Sequence, residues 1–263
     1  MNNTVICETY SYVTRIKLNS PETGNVVNNY NLSLLYKYVT ESIENDNCRV
    51  IVIEGSDGIF SRGMDFNNLI KNSRGKIDVS FSEPYIKAVM AIRNSPKPVI
   101  AAIDGEVLAG GMGIALACDI VIATKRSIFG LSEVIFGIIP AYVFPFLLER
   151  VPLKKARFIV LSSKKFSAED YYKFGIIDDI AEDDKLEKKL TEYIKRLLCS
   201  SPYALSLVKT YSDKISGKEI TDAVKTAGVQ LTELLNNKKS VGAIKAFLEG
   251  EPIEWMTKYR RKK

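Results

Sequence analysis

Short apolar runs alternate with amphipathic stretches of helical period over the first half of the chain. "SYVTRIKL" (11–18), "RVIVIEG" (49–55), "KPVIAAIDG" (97–105) and "DIVIAT" (119–124) predict strands, being short, β-branched and mostly closed by glycine or a polar residue. Between them, the spacing of apolar residues predicts helices at about 30–46, 83–94 and 110–118, and Pro96 and Pro98 punctuate the entry to the next strand. Strand alternating with helix predicts an α/β fold with largely parallel pairing. From about residue 150 onward the strand patterns cease. "PLKKARFIVLSS", "SAEDYYKFG", "DKLEKKLTEYIKRLLCSS", "PYALSLVKTYSDKI" and "VGAIKAFLEG" all read as helical. "SAED" predicts a capping box, with Ser167 as cap and Asp170 in the place usual for glutamate. The pattern is an α/β core followed by a helical appendage, with no low-complexity linker between them.

One apolar run breaks its own rule. "LSEVIFGIIPAYVFPFLLERV" (131–151) would be buried on any reading, yet it carries Glu133. A lone carboxylate costs several kcal/mol to bury while charged, so it must be paired, protonated or put to use. Arg126 and Arg150 are the candidate partners if Glu133 is merely one half of a buried ion pair.

Composition narrows the setting. The 263 residues are 46% hydrophobic and 26% charged, the profile of a soluble globular protein with a sizeable core. Cys7, Cys48, Cys118 and Cys199 are far apart, and the chain has no histidine, so neither a zinc motif nor a disulfide framework is indicated. That usage, with no secretory pattern in "MNNTVICETY", points to the cytoplasm. Asp119, Pro140 and Pro145 interrupt the most apolar runs, which argues against membrane spans. The net charge of +6 and the tail "KYRRKK" read either as a solvated end or as a docking surface for an acidic partner. No nucleic-acid motif accompanies the charge.

Two further stretches have chemical potential. "FSRGMDF" (60–66) follows a strand, and its glycine permits a loop whose backbone N–H groups face a ligand; an ordinary turn is the alternative. In "AGGMGIALACD" (109–119) two glycines open an apolar helix. The free donors and positive dipole end of a helix start suit a developing oxyanion, and close helix-to-sheet packing is the competing explanation.

Order and spacing together resemble the crotonase (enoyl-CoA hydratase/isomerase) superfamily over nearly the full chain. "FSRGMDF" resembles its first oxyanion loop, which implies a donor at Met64, and "DGEVLAGGMGIALACDIVIA" its second, which implies a donor at Gly110. "FGLSEVIFGIIP" resembles the segment bearing a catalytic glutamate, here Glu133, and "GAIKAFLEGEPIEW" the C-terminal helix. The resemblance implies an α/β fold that is a crotonase-like spiral of ββα units with a C-terminal helical appendage. It divides the chain into a core over 1–195 and a helical trimerisation region over 196–263, in a homotrimer or dimer of trimers. It also implies an enolate made from an acyl thioester on acyl carrier protein or CoA, with no metal or redox cofactor needed.

The departures are as informative. Hydratases of the family place a second glutamate where this chain has Gly113, so ordinary hydration is doubtful; where many members have a glycine-rich run, Ala141 to Pro145 are bulkier. The combination resembles the dehydratases of polyketide β-branching cassettes, which remove water from 3-hydroxy-3-methylglutaryl groups carried on acyl carrier protein. The decarboxylases of the same pathways resemble sites using lysine and histidine, and histidine is absent here. The expected site is Glu133 as base and proton carrier, Met64 and Gly110 as oxyanion donors, and Arg62, Gly111 and Tyr142 against the substrate. Asp65 is either a second acid or a cap for the helix beginning "FNNLI". An enoyl-CoA isomerase and a catalytically silent binding protein are the rival readings.

Overall fold

In the computed structural model, residues 4–64, 81–216 and 220–255 are described. They build a large sheet ordered β1-β2-β3-β5-β7-β10 and a small one ordered β4-β6-β8-β9. The large sheet comprises β1 (Val5–Tyr10), β2 (Val13–Leu18), β3 (Val50–Glu54), β5 (Val99–Ile103), β7 (Ile120–Thr124) and β10 (Asp179–Ala181). The small one comprises β4 (Ile59–Ser61), β6 (Glu106–Leu108), β8 (Ile128–Gly130) and β9 (Lys165–Ser167). β1 and β2 form an antiparallel hairpin, and β2, β3, β5, β7 and β10 run parallel.

Each turn of the chain lays one long strand in the large sheet and one short strand in the small sheet, then returns through a helix. β3 and β4 precede α2 (Ser82–Arg93), and β5 and β6 precede α3 (Gly110–Leu116). This is the expected α/β spiral of ββα units. Successive turns stack closely: a Cβ on Gly105 would lie 1.7 Å from Gly58 O, so only glycine fits between β5 and β6. Along β3 the two-residue period sends Ile51 and Ile53 into the main core. Val50 and Val52 instead face a second cluster with Ile100, Ile122 and Leu190. Coverage of both faces is why the parallel strands read as continuous apolar runs.

The helices that follow the core are α4 (Phe144–Arg150), α5 (Leu153–Ser162), α6 (Ala168–Phe174), α7 (Leu186–Leu198), α8 (Pro202–Ser216), α9 (Ile220–Leu235) and α10 (Lys238–Glu249). The first helix of the chain, α1 (Asn29–Glu44), is capped by the Asn28 side chain accepting from Asn31 N–H. Ser167 and Asp170 form the reciprocal capping box at α6. Strands do not stop at about 150, however. β9 pairs antiparallel with β8, and β10 parallel with β7. Three residues are too few to show a period, and both are held by pairing to strands already in place. β1 and α9 also lie outside the elements expected from local pattern. In α9 the buried Val224, Ala227, Leu231 and Leu235 do recur at helical spacing. Among the described residues no helix is long and apolar enough to cross a membrane.

Candidate active site

The strand–loop crossings of the spiral bring two backbone segments together. After β4, the loop to Met64 is strapped to residues 24–27: Arg62 N–H donates to Gly24 O at 2.9 Å, Val27 N–H to Gly63 O at 2.7 Å, and Ser61 Oγ to Asn25 O at 2.8 Å. Gly63 has φ +82°, and a Cβ there would sit 2.8 Å from Gly110 N. Glycine therefore permits both the turn and the approach of the two loops. Gly111 is equally constrained, because a Cβ would meet Ser61 O at 2.6 Å. Ala109, immediately before α3, is held at φ 48°, ψ −124°, a strained conformation for a residue with a side chain. Met112 N–H donates to Ala109 O at 2.9 Å, so Gly110 and Gly111 carry the leading N–H groups of α3, which have no carbonyl inside the helix to bond.

Glu133 reaches the same place from the other side. It opens a 3-10 turn, Glu133–Phe136, just after β8. The C-terminal helices clamp that turn. Ser240 Oγ on α10 donates to Gly137 O at 2.9 Å, Trp255 Nε1 donates to Ile135 O at 3.1 Å, and the Phe247 ring meets Phe136 edge-on at 4.9 Å. The helical appendage thus fixes the segment that carries the acid.

Met64, Tyr85, Gly110, Glu133 and Tyr142 all line the resulting recess, which is open to solvent on one side. Leu231 of α9 closes one side. Glu133 is 8% exposed, and its Oε2 has no hydrogen-bond partner among the described residues. Burial pushes its carboxyl up to about 7, with the backbone N–H groups of Glu133 and Ser132 pulling it part of the way back. Among the described residues it is not half of a buried ion pair. Arg126 is engaged with Asp104, and Arg150 with Asp178 at 2.7 Å and with the carbonyls of Cys118 and Asp119.

The other expected residues divide. Tyr142 lines the recess beside Glu133, and burial raises its pKa, with the Ser82 hydroxyl pulling it part of the way back. Arg62 stands apart, with its guanidinium paired to Glu106 at 2.7 Å and its stem against Gly24. Gly111 is committed to packing on Ser61 rather than to the lining. Asp65 lies outside the described residues. Tyr85 is a recess residue that local sequence does not mark. It sits within an ordinary amphipathic helix, and only its contact with α3 sets it apart.

The comparisons agree with this architecture. Residues 8–258 match the family Enoyl-CoA hydratase/isomerase. The chain is 34% identical over 184 residues to the bacillaene synthase dehydratase PksH of Bacillus subtilis, covering 69% of this chain and 71% of that protein. It is 27% identical over 257 residues to a short-chain-enoyl-CoA hydratase of Clostridium acetobutylicum, covering 96% and 97%. The crystal structure of a polyketide biosynthesis enoyl-CoA hydratase (pksH) from Bacillus subtilis superposes with a TM-score of 0.88 at 25% identity, covering 95% of this chain and 99% of that one.

Proposed function

The chain belongs to the enoyl-CoA hydratase/isomerase family, and from that premise we propose that it is a hydro-lyase removing water from a 3-hydroxy-3-methylglutaryl thioester carried on acyl carrier protein. The product is the 3-methylglutaconyl thioester. The observation that carries this reading is the buried carboxyl of Glu133 in the recess, unpartnered at Oε2 among the described residues and raised to about 7 by burial. Such a group can take a proton and return it within one turnover. The likeness to a dehydratase of bacillaene synthase supports the substrate class.

In the proposed sequence, the N–H groups of Met64 and Gly110 hold the thioester oxygen. Glu133 Oε2 removes a C2 proton, and the electron pair moves into the enolate, whose oxyanion these donors stabilise by roughly 3 kcal/mol each. The enolate then reforms the carbonyl and expels the 3-hydroxyl, which leaves as water with the proton that Glu133 took from C2. The carboxylate is regenerated, so one acid suffices and a second at 113 is not required. Tyr142 Oη donates to the far end of the acyl group in this reading, supported by its place in the lining of the recess.

The test is mass spectrometry of carrier-linked 3-hydroxy-3-methylglutaryl substrate incubated with the enzyme. Loss of one water is expected, and an unchanged mass overturns the reading. A single carboxyl serves an enoyl-CoA isomerase equally well, so a 3-enoyl-CoA belongs in the same assay. Turnover of either thioester excludes a silent binding protein.

A further inference from the structure

Tyr85 of α2 fills the space opened at Gly113. A Cβ built on Gly113 would lie 1.9 Å from Tyr85 Oη, so no side chain fits at 113 while the tyrosine holds its place. Tyr85 is buried, its hydroxyl donates to Gly110 O at 2.8 Å, and its ring centroid lies 5.5 Å from that of Tyr142. The position that could have carried a second acid is traded for a phenol.

A tyrosine hydroxyl has one proton to donate. Here that proton is committed to Gly110 O, so Tyr85 Oη has only lone pairs left for anything else in the recess. Burial, with Glu133 nearby, holds the phenol far above its ordinary range, so it stays neutral and does not compete with Glu133 as a base. A neutral acceptor matches a donor. The thioester oxygen is an acceptor, and the 3-hydroxyl is the only O–H at the reacting end of the proposed substrate.

We propose that Tyr85 Oη accepts a hydrogen bond from the 3-hydroxyl, turning that oxygen's lone pair toward Glu133 and selecting a 3-hydroxyacyl over a 3-enoyl substrate. This assignment rests on the dehydration reading above. No bond is made or broken at Tyr85; the proton still travels from C2 to Glu133 and on to the leaving hydroxyl.

The experiment compares two thioesters in wild type and Tyr85→Phe. One is the 3-hydroxy-3-methylglutaryl substrate, followed by loss of water. The other is 3-methylglutaryl thioester, which lacks the hydroxyl and reports enolate formation by exchange of its C2 protons with solvent deuterium. Losing one hydrogen bond and stranding its partner should slow dehydration about 10- to 100-fold while leaving exchange within about threefold. Equal losses in both reactions would mean that Tyr85 acts only through the Gly110 peptide, and the assignment would fall. It would fall equally if neither reaction changed. A wild-type enzyme that exchanges C2 protons but never releases water would sink the dehydration reading itself, and this assignment with it.

Gly113→Ala provides an independent variant should Tyr85→Phe fold poorly. Its methyl group displaces the hydroxyl without removing it, and the same selective loss is expected. In the Tyr85→Phe background the nearest ring carbon is 3.2 Å from that methyl position, so the second change should add little.

Discussion

Two regions of the described structure take charge out of water and handle it in opposite ways. In a cleft between the ends of α2, α4 and α8, each charged group has a partner. Arg93 bonds Glu149 at 2.9 Å and Asp213 at 2.5 Å, Arg150 bonds Asp178 at 2.7 Å, and Lys209 bonds Asp119 at 2.7 Å. In the recess, Glu133 is more deeply buried and has no cation against it among the described residues. The first arrangement offsets desolvation with Coulomb attraction and ties a surface helix to the core. The second leaves the cost standing and shifts the protonation equilibrium instead. A carboxyl kept in that condition lowers stability, and its value lies in proton transfer.

The sharpest way to break this contrast is Glu133→Gln. The amide keeps the shape but cannot carry the proton, so dehydration should fall by ~10²–10⁴-fold, measured by single-turnover mass spectrometry. Its melting temperature at pH 8 should equal or exceed that of wild type. A lowered melting temperature with normal turnover would place Glu133 in the same class as the paired residues of the cleft.

The pH dependence tests the same group without mutation. Because the base form is needed, kcat/KM should fall about tenfold per pH unit below about 7. Stability runs the other way. The ordinary value is 4.5 and the folded value about 7, so the folded state binds the proton more tightly. That contribution, about 3 kcal/mol in full, is present below about 4.5 and is lost as pH rises through about 7. Denaturant midpoints of wild type and Glu133→Gln should therefore converge near the acid end and separate by pH 8, with the variant the more stable.

The smallest effect is expected in the paired cleft. Arg93→Met leaves Glu149 and Asp213 facing each other without their cation. Both are partly exposed, at 24% and 44% of their side-chain surface, so solvent screens the repulsion. A loss of roughly 1–3 kcal/mol is expected by urea denaturation. Turnover per folded molecule should be unchanged. Reduced turnover at full stability would show that the two regions are coupled rather than separate.

The core of the fold and the oddity of one residue were legible along the chain. β3, β5 and β7 announce themselves because strands buried on both faces must be apolar throughout, β2 because its buried positions alternate along the strand, and α1, α2 and α6 because period and caps are local properties. Glu133 stood out because a charge within an apolar run is costly wherever the run is buried. β4, β6, β8, β9 and β10 did not stand out, since three residues carry no period and their pairing comes from strands distant in sequence. Tertiary structure alone decided the rest: that Arg126 and Arg150 turn to Asp104 and Asp178, leaving Glu133 unpaired among the described residues, and that Arg62 pairs with Glu106. The glycine at 113 shows the limit most clearly. Sequence shows that a carboxylate is missing there, but only packing shows Tyr85 Oη in its space, because contacts between α2 and α3 depend on how two separately coded helices meet.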